Sequence, residues 1–171
     1  GKLGKGLAIA GTAAATAVGT MVAKSVSSFA DYEQLTGGVD TLFKDSSSAV
    51  QKYANDAYKT AGLSANSYME TVTNFSASLI SSLKGDTAKA ADYANSALVD
   101  MADNANKMGT NMTDIQNAYQ GFAKQNYTML DNLKLGYGGT QAEMKRLLSD
   151  AQKLTGQKYD ISSFADITQA I

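Results

Sequence analysis

The sequence predicts an all-α protein, and three observations support this prediction. The 171 residues include no Pro, a residue that costs about 3 kcal/mol inside a helix. Apolar residues recur three and four positions apart, which is the spacing of one helix face, and no stretch sustains a two-residue alternation. Glycines follow the periodic stretches, as they commonly do at helix ends. We therefore expect short to medium helices joined by Gly-containing turns, after an Ala/Gly-rich N-terminal helix.

Residues 1–33 are expected to form that N-terminal helix. Residues 6–23 carry no charge and lie between Lys5 and Lys24. Their apolar side chains supply a transfer energy of roughly -2 kcal/mol, which the Gly and Thr residues can cancel, so membrane insertion is marginal. Small residues at every fourth position would let another helix approach closely: Gly11, Ala15, Gly19 and Ala23. Packing against a partner helix, packing inside the same protein and insertion into a host membrane all stay open for this segment.

Residues 34–171 are expected to form a helical module. A loop is predicted over Thr36–Ser48, because Gly37 and Gly38 permit positive φ and the Ser side chains compete for backbone hydrogen bonds. The side chains predicted to cap the later helices are Ser46, Ser47 or Ser48, Ser64, Asp86, Thr113 with Gln116, Thr140, and Ser162 or Ser163. The chain begins at Gly1 and stops within a periodic apolar run. We therefore expect a fragment of a longer protein, with the module truncated at its C-terminal end.

The helix periodicity also predicts which side chains face the core. The predicted inward residues include Ala57, Tyr58, Phe75, Leu79, Leu98, Met101, Leu148 and Leu154. A further apolar stripe predicts one continuous helix over residues 115–133, in which Asn126 is the single polar member. This Asn either fixes the register of a coiled coil or belongs to a rotated helix in which Tyr127 and Leu130 share the buried face.

The composition excludes most catalytic chemistry. The chain has no His and no Cys, which rules out Cys/His zinc sites, Ser-His-Asp triads, thiol nucleophiles and disulfides. A net charge of -1 gives no electrostatic signature of nucleic-acid binding. We therefore expect no enzymatic activity, no cofactor and no specific nucleic-acid partner.

Two local patterns remain as candidates for ligand binding. Asp100 and Asp103 stand one helical turn apart beside Asn104 and could offer oxygen ligands, but a solvated helix face is favoured because no EF-hand loop is present. The glycine-rich turn Gly136–Thr140 lacks the Lys of a phosphate-binding loop. A plain turn, with Thr140 and Glu143 as a capping box, is therefore favoured there and no metal site is expected.

The run Asp114–Thr140 resembles a segment of the tail tape measure proteins of phages and prophages of Gram-positive bacteria that have long, flexible, non-contractile tails. Phe29–Leu35, Tyr58–Asn66 and Leu154–Ile161 resemble other stretches of the same family, so the likeness covers about residues 29–171. The residues of the run that carry the family pattern are Asn117, Tyr119, Gly121, Phe122, Gln125, Asn126, Tyr127, Leu130, Leu133, Gly136, Gly138 and Gly139.

The resemblance implies a structural protein that lies extended in the tail lumen and sets tail length by its residue count while the tube polymerises. It implies release from the tail ahead of the DNA at infection. The implied partners are further copies of the chain in the lumen, the tail tube protein, tail assembly chaperones and baseplate or tail-tip proteins, with the host membrane as a further partner during infection. The implied locations are the virion tail lumen and, during assembly, the host cytoplasm.

The chain also departs from the family pattern. Glycines interrupt its predicted helices, which are about 12 to 22 residues long, whereas the family ruler is a long heptad rod. We therefore expect a compact or semi-compact module. Two alternatives stay open: a membrane-active or pore-related helical protein that inserts residues 6–23, and a non-catalytic part of a peptidoglycan-degrading tail protein, because some family members carry lytic domains.

Overall fold

The structure is a computed structural model that describes residues 28–171. The predicted packing residues Gly11, Ala15, Gly19 and Ala23 lie outside the described residues. Over the described range the chain is a series of helices and turns without a strand, so the predicted all-α fold is confirmed. No helix of this part of the chain is both long and apolar enough to span a membrane.

The helices follow one another along the chain with short connections. They are α1 (residues 28–43), α2 (Ser47–Thr60), α3 (Ala65–Ser82), α4 (Thr87–Met108), α5 (Met112–Phe122), α6 (Gln141–Thr155) and α7 (Phe164–Ala170), with 3-10 turns at Lys44–Ser46 and Leu130–Leu133.

Several helix starts and ends agree with the predictions. The predicted caps that accept a hydrogen bond from a first-turn backbone N–H are Ser64 (from Ser67, 3.1 Å), Asp86 (from Lys89, 2.9 Å), Thr140 (from Glu143, 3.2 Å) and Ser163 (from Asp166, 3.2 Å). Helix α4 ends at Gly109 with φ 62°, a left-handed conformation that glycine adopts without steric cost. These helix boundaries could be predicted because each is decided by residues that lie within one helical turn of one another in the sequence.

The loop predicted over Thr36–Ser48 is wrong. Helix α1 continues to residue 43, and neither Gly37 nor Gly38 has a positive φ. Val39 and Phe43, four residues apart on this helix, are fully buried. Burial of that apolar face outweighs the roughly 1 kcal/mol that a helical Gly costs, because each large buried side chain contributes about 1.5–3 kcal/mol.

Helices α3 and α4 form the centre of the fold, and each contacts α2, α5 and α7. Their buried residues include Tyr68, Met69, Val72, Phe75 and Leu79 from α3 and Ala90, Ala91, Ala94, Ala97, Leu98 and Met101 from α4. Most of the buried residues of α4 are alanines, whose small side chains let neighbouring helices pack closely against it. Helix α6 packs against α7 at one side of this core.

Four apolar residues on the predicted inward faces are exposed, among them Met108 and Met129 at 41% and 42%. Tyr58 is 80% exposed and Leu154 is 88% exposed. Helix α2 buries Val50, Ala54 and Ala57, and Tyr58 lies in its last turn, about 40° beyond Ala54 at the edge of that face. Leu154 lies in the last turn of α6, one turn beyond the buried part of that helix.

Candidate functional site

The candidate site is the segment that carries the family pattern, residues 112–140, which comprises α5 and its connection to α6. Helix α5 begins after Asn111, whose side chain accepts a hydrogen bond from the Thr113 backbone N–H at 2.8 Å. The predicted Thr113 and Gln116 capping box is therefore wrong. Gln116 instead donates from Nε2 to Thr71 Oγ1 of α3 at 2.9 Å, because a long amide side chain on this face reaches the neighbouring helix.

The continuous helix predicted over residues 115–133 is also wrong, because α5 ends at Phe122. The chain turns at Gln125, which has φ 58°, and the Asn126 backbone N–H donates to the Gly121 carbonyl at 2.9 Å. A Cβ on Gly121 would lie 2.9 Å from the Asn126 carbonyl oxygen. Glycine at position 121 thus permits the reversal that ends the helix.

Neither explanation offered for Asn126 is correct. Its Oδ1 accepts hydrogen bonds from the Thr128 backbone N–H at 3.1 Å and from the Thr128 hydroxyl at 2.8 Å. This is an Asx-type turn, in which a short polar side chain replaces a helical backbone partner. Tyr127 and Leu130 are buried, as the second explanation expected, but they reach the core from a turn and a 3-10 segment.

A second close approach of two backbones closes the connection. A Cβ on Gly139 would overlap the Thr128 carbonyl oxygen and lie 2.9 Å from the Thr128 carbonyl carbon. Only glycine fits there without a shift of the Thr128 backbone. The absence of a side chain at Gly121 and at Gly139 therefore lets both ends of the connection pack closely against the backbone of residues 126–128.

Two side chains of α6 form hydrogen bonds with backbone groups of the glycine-rich turn that precedes this helix. The Gly138 backbone N–H donates to the Glu143 carboxylate at 3.1 Å, and Arg146 donates to the Gly136 carbonyl at 2.9 Å. The guanidinium of Arg146 also stacks over the Tyr137 ring, 4.2 Å from its centroid. The Thr140 half of the predicted capping box is present, but the Thr140 backbone N–H donates to the Gly138 carbonyl at 2.9 Å and not to Glu143, so the Glu143 half is wrong. A plain turn stays the prediction for this segment.

Aromatic side chains join the candidate site to the rest of the core. Tyr119 packs 5.8 Å from Phe122 and 6.4 Å from Phe75, measured between ring centroids. Phe122 stacks on Tyr127 at 6.3 Å, and the Tyr127 hydroxyl donates to the Ile161 carbonyl at 3.0 Å. These contacts connect α5 to α3 and to the segment before α7.

Two contacts between α4 and the 3-10 turn were not predicted. Asn104 donates from Nδ2 to the Leu133 carbonyl at 2.8 Å. The Lys134 ammonium lies 3.3 Å from the Gly109 carbonyl oxygen, where a cation complements the negative end of the α4 dipole. The residues that form these two hydrogen bonds are 29 and 25 positions apart in the sequence, so a local sequence pattern does not predict either contact.

The family-pattern residues divide by location. Tyr119, Phe122, Tyr127, Leu130 and Leu133 are buried, while Asn117, Gln125 and Asn126 are exposed. The four glycines Gly121, Gly136, Gly138 and Gly139 shape the backbone. Most of the pattern thus maintains the packing of the connection.

Both carboxylates of the acidic pair on α4, Asp100 and Asp103, are exposed. Asp103 pairs with Lys107 at 2.9 Å on the surface. Desolvation raises the pKa of Asp100, and the neighbouring Asp103 charge raises that pKa further. Within residues 28–171, no three His, Cys, Asp or Glu side chains are grouped closely enough to hold a metal ion.

The fold and the site define an all-α structural module in which the family-pattern residues tie a connection onto a helical core. Comparison of the chain with protein-family models, with curated proteins and with solved structures found no significant match.

Proposed function

We propose that the chain is a folded part of a phage tail tape measure protein, a structural protein that sets tail length, scaffolds tail tube assembly and leaves the tail ahead of the DNA. The observation that supports the proposal is the resemblance of Asp114–Thr140 to the family. In the structure, the residues that carry this resemblance form one connected unit, held by Gly121, Asn126 and Gly139.

The described helices suit a compact role in this proposal rather than the ruler itself. The longest, α4, has 22 residues, which corresponds to about 33 Å of helix. A ruler needs a helical rod that continues for much longer. We therefore assign residues 28–171 to tube initiation or assembly, and we place the ruler in continuous helical rod elsewhere in the full-length protein.

The proposed partners are those that the family resemblance implies. They are further copies of the chain in the tail lumen, the tail tube protein, tail assembly chaperones and baseplate or tail-tip proteins, with the host membrane as a further partner. The exposed Tyr58 and Leu154, on α2 and α6, are large apolar side chains on the described surface that such contacts could cover.

Mass spectrometry of purified tails, before and after triggered DNA ejection, tests this proposal. Peptides of residues 28–171 should be present in intact tails and strongly depleted after ejection, while the tail tube protein serves as the retained control. Absence of the chain from intact tails, or full retention after ejection, would contradict the proposal.

Two further assays separate the alternatives. Recovery of the chain in liposomes, with lipid protection of residues 6–23 but no chain in tails, would favour the membrane-active alternative. Clearing of peptidoglycan in a zymogram by the full-length protein would favour the alternative that the chain is a non-catalytic part of a peptidoglycan-degrading tail protein.

A further inference from the structure

A cleft of about 270 Å³ lies between α4, α5 and the Leu130–Leu133 turn, and Ile171, the last residue described, also lines it. Its apolar lining includes Met101, Ile115 and Leu133, which are almost completely buried. The cleft is slightly smaller than a typical pocket for a drug-sized ligand, which occupies about 300–1,000 Å³. It is therefore of a size for one side chain or a similarly small molecule.

The Tyr119 hydroxyl supplies an unpaired polar group at this cleft. Tyr119 is only 1% exposed and lines the cleft. Its hydroxyl makes no hydrogen bond to any of the described residues, whereas the buried hydroxyl of Tyr68 donates to Asn95 at 3.0 Å. No enclosed side-chain oxygen in the described part of the chain lacks a partner, so the Tyr119 oxygen retains access to the cleft. A molecule in the cleft can therefore supply the missing hydrogen bond.

The charge at the cleft is negative. Asp100, Asp103 and Lys107 all line it, and Lys107 pairs with Asp103 at 2.9 Å. Asp100 makes no ion pair with the described residues, so its carboxylate leaves one uncompensated negative charge. Desolvation and the charge of Asp103 raise the pKa of Asp100, whereas the charge of Lys107 lowers it.

We propose that this cleft binds an alkylguanidinium or alkylammonium group, with its stem against Met101 and Leu133 and its cationic end at Asp100. The Tyr119 hydroxyl oxygen accepts a further hydrogen bond from the bound group. Anions are repelled by the Asp100 carboxylate, and a neutral apolar ligand leaves that carboxylate unpaired. A bare divalent cation requires more oxygen ligands than this cleft offers. The same chemistry is carried by a Lys or Arg side chain of a protein and by a free alkylamine. The proposal does not depend on the tape measure assignment.

Methyl NMR of the chain with ¹³C-methyl methionine tests the site with n-butylguanidinium chloride as the probe. Met101 and Met108 line the cleft, whereas Met69 and Met144 are buried away from it. We expect saturable shifts at Met101 and Met108, with a Kd on the order of a millimolar for so small a ligand. n-Butanol and guanidinium chloride at the same concentrations should not reproduce the shifts. n-Butanol has the alkyl chain without the positive charge, and guanidinium has the positive charge without the alkyl chain.

Three variants make the test specific. Asp100→Asn should weaken probe binding about fivefold to tenfold, as expected for loss of a partly exposed charge pair. Tyr119→Phe should weaken binding about threefold, because it removes one hydrogen-bond acceptor and keeps the ring. Asp56→Asn, at an exposed position on α2 away from the cleft, should leave binding unchanged. Unchanged Met69 and Met144 shifts verify that each variant is folded.

Titration of the same methyl signals with a short alanine peptide that has one central arginine distinguishes the two sources of the cation, a protein side chain and a free alkyl cation. Tighter binding of this peptide than of the probe identifies a protein side chain as the occupant, and binding of the probe alone identifies a free alkyl cation. Equal binding to Asp100→Asn and Asp56→Asn, or equal shifts with n-butanol, would overturn the proposal.

Discussion

Replacing Gly139 by Ala should destabilise the protein, because the added Cβ meets backbone atoms. It would overlap the Thr128 carbonyl oxygen and lie 2.9 Å and 3.3 Å from the Thr128 carbonyl carbon and Cα. No side-chain rotation can relieve a clash with backbone. The Thr128 backbone is itself held by Asn126 Oδ1 at 3.1 Å and follows the buried Tyr127. The connection must therefore shift and lose packing at Tyr127.

The expected cost of Gly139→Ala is about 2–3 kcal/mol, in the upper range for overpacking a well-packed site. For a chain of this length such a loss lowers the melting temperature by about 5–10 °C. Urea unfolding followed by far-UV circular dichroism measures the free energy of unfolding, and a thermal scan measures the melting temperature.

Gly138→Ala is the matched control, one residue earlier in the same turn. A Cβ on Gly138 would meet only Glu143 Cγ at 3.6 Å, which is an ordinary contact. The variant should change the free energy of unfolding by less than about 1 kcal/mol, with a gain expected from the less flexible unfolded chain. If the two variants were equally stable, the close approach of Gly139 to Thr128 would not exist and the described packing of the connection would be refuted.

Three further predictions test other parts of the fold. Gly37→Ala should stabilise the protein by about 0.5–1 kcal/mol in urea unfolding, because this Gly lies within α1 with nothing within 4 Å of an added Cβ; a loss would restore the predicted loop. Leu98→Ala should cost about 2–5 kcal/mol and Leu154→Ala less than about 0.5 kcal/mol by the same measurement, because only Leu98 is buried; equal losses would contradict the burial. The hydrogen bond from Arg146 lowers the pKa of the Glu143 carboxyl group. The ionised carboxylate therefore stabilises the folded protein fully above the pKa that Glu143 has in the unfolded chain. This stabilisation is lost as the pH falls through the lower pKa of the folded state. Carboxyl ¹³C NMR should show that pKa rising in Arg146→Gln, and an unchanged value would exclude the ion pair.

Local chemistry made several features of the fold predictable. The caps at Ser64, Asp86, Thr140 and Ser163 each join a side chain to a backbone N–H three residues later. Such contacts need no knowledge of the rest of the fold. The buried positions of Phe75, Leu79 and Leu98 likewise follow from helix periodicity alone.

Features decided by distant contacts could not be predicted. The adjacent Gly37 and Gly38 predict a loop from local sequence. They are helical because burial of Val39 and Phe43 on the same helix stabilises α1 through this segment. The stripe through residue 126 keeps a helical spacing, yet the reversal at Gly121 ends the helix and the same apolar residues are buried in another geometry. In both cases tertiary packing overrides local propensity.

The candidate site was predictable in its residues but not in its role. Tyr119, Leu133 and the glycines belong to the run that carries the family resemblance, whereas the cleft beside Tyr119 and Leu133 also involves α4, which precedes that run. Asp100 and Asp103 are both exposed, in agreement with the predicted solvated helix face. The position of Asp100 at a cleft that Tyr119 also lines depends on how α4 and α5 pack, which sequence spacing alone does not specify.

Tail length, measured by electron microscopy on particles that carry in-frame changes, tests the proposed tape measure role most directly. A helix rises 1.5 Å per residue, so deleting about 14 residues from a continuous helical rod of the full-length protein should shorten the tail by about 21 Å. Gly139→Ala, which perturbs the described module, should instead reduce the number of assembled tails without changing their length. Unchanged tail length across several rod deletions would contradict the account.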